Sequence, residues 1–70
     1  MARLIELIDV AGNVRLFNPA HIVDVVYIEA LGHTRVYIDV SIDGANYVPV
    51  KETLEQIKNL VNGEHHGKIS

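Results

Sequence analysis

The sequence predicts a small α+β domain: an antiparallel β-meander of about five short strands with one C-terminal α-helix. Three observations predict it. Residues 35–42 alternate strictly between apolar and polar and run into Asp43-Gly44, the signature of a strand entering a hairpin. Short runs rich in β-branched residues are punctuated by Gly12, Gly32 and Gly44, the pattern of strands separated by turns. From Thr53 onward the period changes: Leu54, Ile57, Leu60 and Val61 recur at helical spacing, behind a Thr-x-x-Gln capping box and ahead of Gly63.

Residues 3–10 form the first predicted strand, with Leu4, Ile8 and Val10 on one face and Ile5 and Leu7 on the other, so that both faces are apolar. Ala11-Gly12 signals a turn, and residues 13–17 return with Val14 and Leu16 expected inward and Arg15 and Phe17 outward. Asn18-Pro19-Ala20-His21 predicts one helical turn, since Asn caps well and Pro is preset for the first helical position. Residues 22–29 form the third strand, with Ile22, Val26 and Ile28 on one face and Val23, Val25 and Tyr27 on the other. A strand apolar on both faces is expected to be central or covered by a partner subunit.

The fourth strand puts Val36, Ile38, Val40 and Ile42 on one face. A two-residue Asp43-Gly44 turn would send Val48 and Val50 to the polar face. A three-residue loop closed by a glycine bulge would instead pair Val40 with Asn46, Ile38 with Val48 and Val36 with Val50, and is the expected register. The opposite face would then set Tyr37 against Pro49 and Asp39 against Tyr47. Pro49 has no amide hydrogen, so its strand is expected at an edge or with that nitrogen turned outward. Residues 1–63 are expected to form a single β-rich domain and residues 64–70 a flexible polar tail.

Composition narrows the function. The chain has 70 residues, 49% of them hydrophobic, and no cysteine. A core of this size supplies about 3–5 kcal/mol, so a chain this apolar and without disulfides is expected to bury more surface by forming a homo-oligomer. A net charge of -3 is opposite in sign to the basic footprint of a nucleic-acid binder. With no signal-peptide core and no apolar run of about 18 residues, the expected location is the cytoplasm without membrane insertion.

Order and spacing also carry a likeness. A strand ending at Gly12, then Phe17-Asn18-Pro19, Ile22, Thr34, Gly44, Tyr47-Val48, Val50 and Glu52-Thr53-Leu54 through Ile57 resembles the small flagellar FlbD (SwrD) family over residues 4–61. The resemblance implies a non-enzymatic accessory protein that works through protein–protein contact, and it brings no catalytic residues with it. Residues 27–34 and the tail depart from the family pattern.

No catalytic or metal motif is present. His21, His33 and the adjacent His65-His66 lack chelating spacing, the glycines are isolated turn or cap residues, and no Ser or Lys stands in a nucleophile motif. No cofactor is expected. The residues suited to recognition are Arg3, Arg15, Phe17, Arg35, Tyr37 and Tyr47: arginine captures phosphate or carboxylate, and the aromatic rings offer stacking. The leading expectation is that each arginine pairs with a nearby acid such as Asp9, Asp39 or Glu29. The alternative is that Arg3 and Arg15, if they meet across the first hairpin, form a small cationic patch beside Phe17, with oligomerisation bringing in Arg35, Tyr37 and Tyr47 from a neighbouring subunit. These residues define the alternative to a protein-interaction factor, a phage-type sequestering protein that holds a small anionic or nucleotide-like signal between subunits.

Overall fold

The computed structural model describes residues 4–63; Arg3 and the expected tail, residues 64–70, lie outside them. Five strands and one helix follow one another as β1 (Ile5–Ile8), β2 (Val14–Phe17), a 3-10 turn (Pro19–His21), β3 (Ile22–Ile28), β4 (His33–Ile42), β5 (Ala45–Val50) and α1 (Leu54–Asn62). All strand pairing is antiparallel, in a two-stranded sheet β1-β2 and a three-stranded sheet β3-β4-β5. The predicted α+β class and element order are thus found. The sheets meet where Asp9 pairs with Val50, through Val10 N to Pro49 O at 3.1 Å and Lys51 N to Ile8 O at 2.8 Å. Ile8 N also donates to both carboxylate oxygens of Glu52 at 3.0 Å, which ties the start of the β5–α1 link to β1.

One core joins all parts. Ile5, Leu7, Phe17, Val36, Ile38, Val48, Val50 and Ile57 are buried together, with Ile22, Val25, Leu60 and Val61 packed against them. The helix obeys its sequence signals: Thr53 Oγ1 accepts from Gln56 N at 3.1 Å, Gln56 Oε1 accepts from Thr53 N at 2.9 Å, and Gly63 ends the helix at a positive φ of 70°. Asn18 caps the 3-10 turn, its side chain accepting from Ala20 N at 3.0 Å.

Two sequence-based facings are corrected. In β2 it is Phe17 that is buried and Arg15 half-buried, while Val14 and Leu16 are exposed. The reason lies in β1: Ile5 and Leu7 face the core, and the register sets Phe17 opposite Ile5 and Arg15 opposite Leu7. In β3 the register slips between Ile22 and Asp24, so Val23 is an extra residue. Ile22 and Val25 both reach the core across that bulge, and Val26 lies opposite Arg35. β3 is an edge of its sheet, which removes the central position from the two alternatives expected for it.

The β4–β5 hairpin departs furthest from expectation. Its turn is the two-residue Asp43-Gly44 form, with Ile42 opposite Ala45 and φ values of 52° and 81° at the two turn residues. Those left-handed angles suit a primed turn, whose twist matches that of the strands. Beyond it, residues 38–41 stand against Asn46 alone, after which Tyr37 faces Tyr47, Val36 faces Val48 and Thr34 faces Val50. The offset of three is odd and therefore flips the parity of the strand, which returns Val48 and Val50 to the core without a three-residue loop. Pro49 lies opposite Arg35, and its carbonyl bonds to Val10, on the side of β5 away from β4; its nitrogen points the same way.

Candidate functional site

The register that returns the valines to the core also builds a cluster on the opposite face. Thr34, Val36 and Ile38 of β4 point to the core, so Arg35 and Tyr37 point away from it, joined by Tyr47 and Pro49 of β5 and Val26 of β3. The Arg35 guanidinium carbon lies 4.3 Å from the centroid of the Tyr47 ring. The Tyr37 and Tyr47 rings are 5.6 Å apart at a tilt of 50°. Arg35 Nη1 donates to Tyr37 Oη across a long 3.4 Å. That hydroxyl, more than anything else nearby, holds the guanidinium in its charged form and raises its pKa; partial burial opposes the shift. Among the described residues, Arg35 Nε is the one buried side-chain nitrogen or oxygen without a hydrogen-bond partner, and no carboxylate forms an ion pair with Arg35.

Arg15 has a different setting. Its Nε donates to Asp9 Oδ2 at 3.1 Å, and Asp9 Oδ1 accepts from Ala11 N at 3.0 Å and Asn13 N at 2.9 Å. The carboxylate therefore stitches the β1–β2 turn together from inside. The Asn13 amide is the largest influence lowering its pKa, with Arg15 and Ala11 adding to it and burial opposing it. Here the expected arginine–acid pair is present. Arg15 and Phe17 also line a cleft of about 160 Å³ with Leu16, Asn18, His21, Ile38 and Val40. It is smaller than the roughly 300–1,000 Å³ of sites that enclose a small organic ligand. His21 Nδ1 is 3.0 Å from Asp39 Oδ1, a contact that draws the bulged part of β4 toward the 3-10 turn.

Of the six residues singled out from sequence, the structure thus gathers Arg35, Tyr37 and Tyr47 within one chain, with no neighbouring subunit needed. Arg15 and Phe17 sit apart from them, Phe17 in the core at the floor of the small cleft, and Arg3 is outside the described residues. No local signal announced the cluster: a two-residue Asp43-Gly44 turn alone would set Val40 opposite Tyr47, and Tyr37 meets Tyr47 only through the three-residue offset in β4.

Two other surfaces stand out. On the outer side of the β1–β2 hairpin, Leu4, Ile8, Val10, Val14 and Leu16 are all between 37% and 61% exposed. An open groove of about 470 Å³ runs between α1 and β3, lined chiefly by Ile22, Val23, Val25, Leu54, Ile57 and Val61. Among the described residues, no three His, Cys, Asp or Glu side chains come together as a metal site, and no helix is long and apolar enough to cross a membrane. No family model, curated protein or solved structure matches the chain.

Proposed function

We propose that this chain is a small non-enzymatic binding protein of the cytoplasm that works by protein–protein contact, as its resemblance to the FlbD (SwrD) family implies, and that its first partner is a second copy of itself. The observation that carries this reading is the outer face of the β1–β2 hairpin. Ile8 lies opposite Val14 and Glu6 opposite Leu16, so two strands present one nearly continuous apolar surface broken by a single charge. A second copy fits this surface because apolar meets apolar when the same patch is used twice about a two-fold axis. The hairpin also has a free edge: among the described strands β2 pairs only with β1, and antiparallel β2–β2 pairing would extend both hairpins into one sheet.

The test is the oligomeric state of the wild type and of Leu16→Glu, measured by sedimentation velocity across about 5–500 μM, a range that covers weak association. A concentration-dependent dimer or larger assembly in the wild type, reduced to monomer by Leu16→Glu with its circular dichroism intact, supports the reading. A wild type that stays monomeric throughout contradicts it, as does an oligomer that Leu16→Glu leaves unchanged.

A further inference from the structure

We propose that Arg35, Tyr37 and Tyr47 form an oxyanion-binding site, taking a phosphate or carboxylate group of a small molecule on the outer face of β4 and β5. This is a function separate from self-association through the β1–β2 hairpin.

Four observations converge on it. Arg35 forms no ion pair with a carboxylate among the described residues, in a chain whose formal charge is -3, whereas Arg15 is paired with Asp9. The guanidinium is held in place before any ligand arrives, its face against the Tyr47 ring at 4.3 Å and Nη1 directed to Tyr37 Oη. Fixing a planar, always-charged fork in this way lowers the entropy lost when an anion binds. The buried Nε–H has no acceptor, and a buried donor left unbonded is destabilising. An oxyanion drawn against that edge of the guanidinium, with a small turn of either ring, would supply the missing acceptor. Finally, the core and helix lie on the opposite side of the sheet, so the cluster faces outward.

The chemistry follows from the donors. Arginine offers parallel N–H groups that match two oxygens of a phosphate or carboxylate, and the Tyr37 hydroxyl can turn its proton to a third oxygen. The flanking rings and Val26, which lies opposite Arg35, form an apolar margin that excludes water from one side of the ion pair and strengthens it. A ligand with a flat ring beside its anionic group would gain further contact along this margin.

The experiment is an NMR titration of the ¹⁵N-labelled full chain at constant ionic strength, with sodium phosphate, adenosine monophosphate and sodium acetate added separately to about 20 mM, which detects even millimolar affinity. Saturable shifts at the Arg35 Nε–H and at the Tyr37 and Tyr47 amides are expected. Tighter binding of the nucleotide than of phosphate would mean that the ring is also held, equal binding that the oxyanion alone is read, and equal binding of acetate that carboxylate and phosphate are both accepted. Arg35→Gln should weaken binding by about tenfold or more, and Arg35→Lys, which keeps the charge but loses the fork, should also weaken it. Tyr37→Phe keeps the ring and should weaken binding less. A dispersed amide spectrum certifies that each variant is folded. No saturable response to any of the three anions, or a response that survives in folded Arg35→Gln, overturns the proposal.

Discussion

The two hairpins solve the same closure problem by opposite means. β1–β2 keeps an even register from Ile5↔Phe17 to Ile8↔Val14 and relies on a side chain, the Asp9 carboxylate, to organise its turn. β4–β5 closes its turn through backbone angles at Asp43 and Gly44 and then absorbs three extra residues in β4. Their outer faces differ accordingly. The regular hairpin leaves aliphatic side chains exposed, while the shifted one brings an arginine and two tyrosines into contact. A regular register preserves the alternation written in each strand, and an irregular one creates neighbours that alternation does not pair.

Experiments can break this comparison at either hairpin or at the element that braces both. The largest effect is expected where the hairpins share a core: Leu7→Ala and Val36→Ala, both fully buried, remove side chains from opposite sheets. Leu7→Ala should lose ~2–5 kcal/mol in urea unfolding. If a Leu7 variant unfolds alone while near-ultraviolet signals from Tyr37 and Tyr47 persist, the two sheets do not share one cooperative core.

Gly44→Ala comes next. Its φ of 81° is strained for any residue with a Cβ, so the variant should lose ~1–2 kcal/mol although open space surrounds the position. Replacing Gly12, whose φ is 91° but whose turn is also held by Asp9, should be compared with it directly. A smaller loss at Gly12 would mean that side-chain stitching tolerates what a backbone-only turn does not. Thr53→Ala should lose ~1 kcal/mol, since it removes an N-cap from the helix that braces the sheets.

The pH dependence is the subtlest and the most selective. Asp9 has a lowered pKa in the fold, so the unfolded chain binds the proton more readily, and stability must rise with pH across the carboxylate range. Its contribution is complete above about pH 5, past the ordinary aspartate value, and is lost as pH falls through the folded pKa. Thermal melts at pH 3 to 6 should show a steeper acid loss in the wild type than in Asp9→Asn, with the difference attached to β1–β2. An identical slope in the variant would place the acid sensitivity elsewhere.

How much of this was legible beforehand depends on the range of the interactions. The capping box, the Gly63 stop, the Asn-Pro turn and the order of strands were readable because each rests on residues within about four positions of one another. The facing of β2 was misread because Val14 and Leu16 look like core residues in isolation, and only β1 across from them gives the inward positions to Phe17 and Arg15. All three residues of the candidate site were readable as types suited to anion capture; their assembly was not, since Tyr37 meets Tyr47 only after the offset in β4.

By itself, then, the sequence determined the element types, their order, and the capping box and glycine stop of the helix, because these follow from local propensity and periodicity. Tertiary structure alone decided which face of β2 is buried, how the two sheets join through Asp9 and Val50, and that Arg35 contacts two tyrosines of its own chain. Strand pairing is a choice among registers of similar local merit, and only the simultaneous burial of side chains from both sheets and the helix selects one.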